Sequence, residues 1–264
     1  MTASAQASQA RFRAEADMLQ PLIDAAPSFG RRSTVLFEVP CTAGVPDIVL
    51  LELDDRAMRA RVGAAPLEDS IDVRVMVITA QVRNPTATIW TADRLAELAG
   101  VTSAHLRRTV LPRLAGGGHL REVAQGWQPT HRYRSLARRV VTIEAKLRDW
   151  RGAVAQAARH TAVADAAWVA LDEASAAAAQ RNSDWFSAYG VGLATVCVDG
   201  TVTHQIKPGV SRTGRFRFER EFLVERSVAL HQAGRVSGEL PCVFGRTLVA
   251  TTGSDPRLVS AGAH

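Results

Sequence analysis

The sequence predicts an α/β protein, a mixed sheet flanked by helices, with a second module inserted into it. Three observations carry this expectation. Short runs rich in Val, Ile and Leu at 33–39, 45–53, 140–146, 167–171 and 191–198 read as strands. Longer runs at 10–26, 151–163 and 175–190 read as helices between them. Residues 71–139 break that order and carry eleven arginines against four acids. The chain therefore divides into a first part of the core at 1–70, an insertion at 71–139 and a second part of the core at 140–264.

In the first part, Phe12, Ala16, Leu19, Leu22 and Ile23 form a helical stripe, with Pro21 as a kink or restart. Glu15 lies beside that stripe. Residues 27–32 form a loop and 40–44 a turn. The run 45–53 is apolar enough to be buried, and Asp47 stands at its start, directly after Pro46. A carboxylate there is costly unless paired, hydrogen-bonded or bound to metal. The competing reading is an Asp that caps its own turn.

The insertion has its own punctuation. Residues 71–83 suit a helix or a strand. Thr91 caps a helix over 92–99 and Gly100 closes it. Ser103 caps a second helix over 104–114, broken late by Pro112. Two strands, 119–124 and 131–136, are expected around a turn at 125–129. Helix, short turn, helix and hairpin over 90–135 resembles the winged helix-turn-helix family of DNA-binding domains. The resemblance implies a recognition helix offering Ser103, His105, Arg107 and Arg108 to a groove. It implies a wing with Arg121, His131, Arg132 and Arg134 near phosphates. Concentrated positive charge fits that reading; a solvated face on a protein-binding winged helix is the alternative.

The second part begins with the strand 140–146. Val141, Ile143 and Ala145 alternate with Thr142, Glu144 and Lys146, so Glu144 and Lys146 project to one side. Lys146 and Lys207 are the only lysines in the chain, which otherwise uses arginine. A lysine here points to a need for a compact, titratable amine. A structural Glu–Lys pair is the plainer alternative. On the helix 151–163, Gln156 and His160 are one turn apart. Asp199-Gly200 signals a hairpin into a strand at 201–206. A helix is expected over 222–233, and the last ten or so residues read as disordered. Trp150, Trp168 and Trp185 read as core, and His160 as a helix-surface residue.

Bulk composition narrows the function classes. The chain has 264 residues, a net charge of +6 and a pI near 10.0, which favours a polyanionic partner. Three scattered cysteines argue against a disulfide framework or a zinc knuckle. The first residues lack an apolar signal region and no run of about 18 apolar residues occurs, so a cytoplasmic protein without a membrane span is expected.

Val45-Pro46-Asp47 and Glu144-Ala145-Lys146, with this order of elements, resemble the PD-(D/E)xK nuclease superfamily and its restriction-endonuclease-like fold. The resemblance implies that Asp47 and Glu144 bind a divalent metal, Mg²⁺ or in its place Mn²⁺, and that Lys146 assists catalysis. It places Gln156 on the following helix as a ligand- or phosphate-orienting residue and makes Glu15 a further acid; Glu38, on the neighbouring strand, points toward the site. The 97 positions between Asp47 and Glu144 exceed the family's usual spacing, and the insertion accounts for them. The implied function is a metal-dependent endonuclease acting on double-stranded DNA, in defence or repair, and a homodimer is compatible with it. The alternative is a DNA-binding transcriptional regulator whose nuclease-like core does not cut.

Overall fold

A computed structural model describes residues 11–209 apart from Val62, residues 217–237, and three short strands beyond them. Those strands, Cys242–Val243, Arg246–Val249 and Arg257–Leu258, pair antiparallel. The rest of the last ten residues, expected to be disordered, lies outside the described residues.

The centre is a six-stranded mixed sheet. Its strands are β1 (Thr34–Phe37), β2 (Ile48–Leu53), β3 (Ala137–Lys146), β4 (Ala166–Asp172), β5 (Val191–Val196) and β6 (Val202–Ile206), in that spatial order. β1, β2 and β3 run antiparallel in turn, β3, β4 and β5 are parallel, and β6 returns antiparallel. The two parallel connections need crossovers. They are supplied by helix α1 (Trp150–His160) and by a broken run ending in α2 (Ser183–Tyr189).

Both sheet faces are covered. Val141, Ile143 and Ala145 share one core with Leu19, Leu22, Ile23 and Phe29 from the N-terminal helices. Val140 faces the opposite side, where α1, α2 and α3 (Phe218–Gln232) pack. Strand alternation puts Thr142 and Glu144 on that second side. The strands β4 and β5 are buried along their whole length, as parallel strands covered on both faces must be.

The insertion builds a core of its own. Helix α4 (Ser70–Ala80) leads to α5 (Ala92–Ala99), and a broken helix then spans 103–116. Thr91 and Gly100 cap α5 at its two ends, as expected. At the next helix the cap is Thr102, whose hydroxyl accepts from the His105 N–H; Ser103 is already helical and its hydroxyl is released for other partners. Leu106–Val110 is a π-helical stretch. Pro112 offers no N–H to the ladder, and the Leu111 N–H reaches back five residues to Leu106 O.

The hairpin differs from expectation. Its strands are β7 (Leu120–Val123) and β8 (Gly126–Pro129), so 131–136 is not a strand. Gly126 explains the tighter turn. It adopts φ +143°, and a Cβ there would lie 2.4 Å from Trp90 O. That close approach lets Trp90 and Trp127 exchange both backbone hydrogen bonds, at 2.8 Å each.

Other boundaries shift for local reasons. The N-terminal helix is three short pieces, Glu15–Met18, Leu19–Asp24 and Ala26–Phe29, interrupted near Pro21 and Pro27. The run expected as one helix at 175–190 breaks into Glu173–Ser175, Ala177–Arg181 and Ser183–Tyr189. The expected helix 222–233 begins four residues earlier, at Phe218.

That helix joins the two units. Phe222 packs in the insertion's core, whereas Leu223, Val224 and Val228 pack under the sheet. Arg74 of α4 lies over the Phe218 ring, 4.3 Å from its centroid. Beneath the joint runs a buried polar network. Arg61 pairs with Glu225, and Arg220 bonds Asp165 at 2.8 Å and Glu221 at 2.9 Å. The Tyr133 hydroxyl donates to Glu221 at 3.3 Å. No helix among the described residues is long and apolar enough to cross a membrane.

Candidate functional site

The fold brings Asp47, Glu144, Lys146 and Glu15 together at one end of β3. Pro46 precedes Asp47, and β2 starts only at Ile48, so Asp47 is free to turn toward the neighbouring strand. Its Oδ2 accepts the Ala145 N–H at 2.8 Å and lies 3.6 Å from Lys146 Nζ. Lys146 also reaches Glu15 Oε2 at 3.4 Å, and Glu15 Oε1 accepts the Leu147 N–H at 3.4 Å. Glu15 is therefore held by both backbone and side chain of the β3 end.

Glu144 is the most enclosed of the acids, at 1% exposure. Burial, and then the neighbouring Asp47 charge, push its carboxyl up to about 8, which Lys146 only partly offsets. Two carboxyls this close, in so little solvent, favour the protonated form of Glu144. Asp47 is raised as well, by burial, against the pull of Lys146 and the Ala145 N–H. For Lys146, burial pulls down, but the carboxylates of Asp47, Glu15 and Glu144 outweigh it and hold the amine above its ordinary value.

His160 departs from expectation. It is 2% exposed, with Nδ1 3.2 Å from Glu144 Oε1. Burial and Arg159 hold it down to about 4, so it is a neutral imidazole. The turn at Cys41 and Gly44 closes over it: Gly44 has φ +120°, and a Cβ there would meet His160 Nε2 at 3.6 Å. The missed signal was the stripe Trp150, Ala153, Val154, Ala157 and His160, which is the buried face of α1. Gln156 lies one turn before His160, half-buried, with no hydrogen bond among the described residues. Glu38 adopts φ +48° just past β1, and its N–H bonds Asp47 O at 3.2 Å. It braces the backbone that carries Asp47.

Glu144 Oε1 is buried and makes no hydrogen bond, although His160 Nδ1 lies 3.2 Å from it. Oxygen donors of this kind suit a hard divalent cation, which accepts two carboxylates and keeps several waters. Among the described residues, no three His, Cys, Asp or Glu side chains gather as a metal site. The donors are the Asp47–Glu144 pair alone.

The candidate DNA-contacting residues have different surroundings. Ser103 and Arg107 are tied to Asp93: the Ser103 hydroxyl donates to it and Arg107 Nη2 bonds it at 2.9 Å. His105 and Arg108 are exposed. Arg121 is occupied across the hairpin by Gln128 Oε1, at 2.7 and 3.0 Å. Arg132 and Arg134 are exposed but stand beyond β8, on the segment returning to β3, rather than on the hairpin. His131 is half-buried and its ring lies 5.2 Å from that of His119. Trp150 and Trp168 are core, as expected, whereas Trp185 is 46% exposed.

The chain matches no family model, no curated protein and no solved structure.

Proposed function

We propose that the protein is a metal-dependent DNA endonuclease of the PD-(D/E)xK kind, with an inserted winged helix that binds duplex DNA. The observation that carries this reading is the meeting of Asp47, Glu144 and Lys146 across 97 positions of sequence, with Glu15 beside them. Asp47 and Glu144 would hold Mg²⁺, or Mn²⁺ in its place. The ion would supply charge neutralisation at phosphate oxygens and activation of water. A cation held there would require Glu144 to release any proton it carries. Lys146, paired with Glu15 at 3.4 Å and with Asp47 at 3.6 Å, would serve as a fixed positive charge for a phosphate oxygen rather than as a base. Gln156, half-buried one turn before His160 and with no side-chain hydrogen bond among the described residues, would orient a ligand. In the insertion, Trp90 bridged to Trp127 beside two helices supports the winged-helix reading, with Ser103, His105, Arg107 and Arg108 on the recognition helix.

Plasmid cleavage with Mg²⁺ tests the reading. Wild type is expected to cut, and Glu144→Ala and Lys146→Ala are expected not to; equal activity in all three would sink it. Tight, sequence-specific gel shifts that ignore Mg²⁺, without cleavage, would favour a regulator with a silent core.

A further inference from the structure

Beside the candidate site lies a cavity of about 450 Å³, lined in part by Arg11, Arg148, Asp149, Trp150, Arg151 and Ser175. It adjoins the end of β3. Arg148 is two residues past Lys146, and Arg11 is four before Glu15, which grips Lys146 and Leu147. Three guanidiniums face it against one carboxylate. That carboxylate is committed: Asp149 Oδ1 accepts the Gly152 N–H at 2.9 Å and caps α1.

Among the described residues, no ion pair neutralises these arginines. Arg11 and Arg148 are exposed, and among the described residues their side chains make no hydrogen bond or ion pair. The Arg151 guanidinium carbon lies over the Trp150 ring, 4.5 Å from its centroid, which holds it against the cavity wall. Like charges converging on one cavity repel each other unless an anion joins them. An aromatic surface stands next to it. Trp185 is 46% exposed and meets Trp150 edge-on at 5.9 Å.

We propose that this cavity is a phosphate subsite for a nucleic-acid strand. Arg11, Arg148 and Arg151 take the phosphate, and Trp185 offers a stacking face to the attached base. The proposal rests on the nuclease reading in that the same strand would run on to Lys146. The phosphate has two sources of the same chemistry, a 5′-terminal group or an internucleotide linkage.

Fluorescence anisotropy with short single-stranded oligonucleotides, 5′-phosphorylated and 5′-hydroxyl, in EDTA, tests it without any cutting. The Arg148→Ala/Arg151→Ala double variant is expected to bind the phosphorylated strand roughly tenfold or more weakly. Trp185→Ala is expected to lose roughly fivefold or more. Wild-type preference for the phosphorylated strand, abolished in the double variant, identifies a terminal phosphate. Equal wild-type binding of both strands, weakened alike in the double variant, identifies an internucleotide one. A double variant that binds both strands as tightly as wild type overturns the subsite, and unchanged binding by Trp185→Ala overturns the stacking contact. Plasmid cleavage with Mg²⁺ separates the two claims. A wild type that does not cut, with arginine-dependent binding intact, removes the nuclease reading and leaves the subsite standing. A double variant that binds and cuts like wild type removes the subsite and leaves the nuclease.

Discussion

Two acid clusters lie within this fold, and the chain treats them differently. At the joint beneath α3, Asp165, Glu221 and Glu225 are met by Arg220 and Arg61 in direct ion pairs, with Tyr133 closing the network. At the end of β3, Glu15, Asp47 and Glu144 share one lysine, while the neighbouring His160 is neutral. The first cluster is compensated by side chains and serves as structure. The second sets three carboxyls against one lysine, and burial with the Asp47 charge raises Glu144 to about 8. In the proposed nuclease, the under-compensated cluster would be where an external cation is held.

Five experiments can break or sharpen the comparison. The largest expected effect is on cleavage. Glu144→Ala should lower Mg²⁺-dependent cutting of plasmid by at least about a hundredfold while leaving the unfolding midpoint in urea nearly unchanged. The mirror experiment is Arg220→Ala, which strands buried carboxylates. It should cost about 3–5 kcal/mol in urea unfolding. A stability loss from Glu144→Ala as large as that from Arg220→Ala would erase the distinction between the clusters.

Protonation gives the next test. Burial raises Glu221 to about 7 from an ordinary value of 4.5, opposed by Arg220. A group raised in the folded state stabilises fully below its unfolded pKa and loses that contribution as pH rises through the folded one. Relative to Glu221→Gln, wild type should therefore lose stability between pH 4.5 and about 7, as read from the difference in thermal midpoints. At the other cluster, apparent Mg²⁺ affinity should climb as pH approaches about 8, because the ion displaces the Glu144 proton, and titration calorimetry in two buffers should detect proton release. The smallest effect concerns the insertion. Arg107→Ala/Arg108→Ala should weaken duplex binding by roughly tenfold at low salt and flatten its salt dependence.

Much of the architecture was legible because it rests on local pattern. The alternation through Val141–Glu144–Lys146 gave both the strand and its polar side. Thr91 and Gly100 gave both ends of α5. Asp47 was legible because Pro46 breaks the chain just before an apolar run. The hairpin was not, since Gly126-Trp127-Gln128-Pro129 has no strand alternation and its turn depends on a close approach to Trp90 from outside the segment. His160 was misjudged because a charged-looking residue after Arg159 reads as surface, although its spacing from Ala153 and Ala157 put it on the buried stripe. Glu15 was a weak candidate because its partner, Lys146, is 131 residues away. Arg132 and Arg134 were assigned to a strand that the Gly126 turn had already shortened.

The shared helix α3 has a mechanical consequence. With Phe222 seated in one core and Leu223, Val224 and Val228 in the other, the insertion cannot swing on its connections without prising that helix out of both. Grip and blade, in the proposed nuclease, are set in one frame. The protein would then act as a ruler, cutting at a constant offset from the sequence it holds, with a length set by the thickness of α3 and its neighbours rather than by a flexible tether.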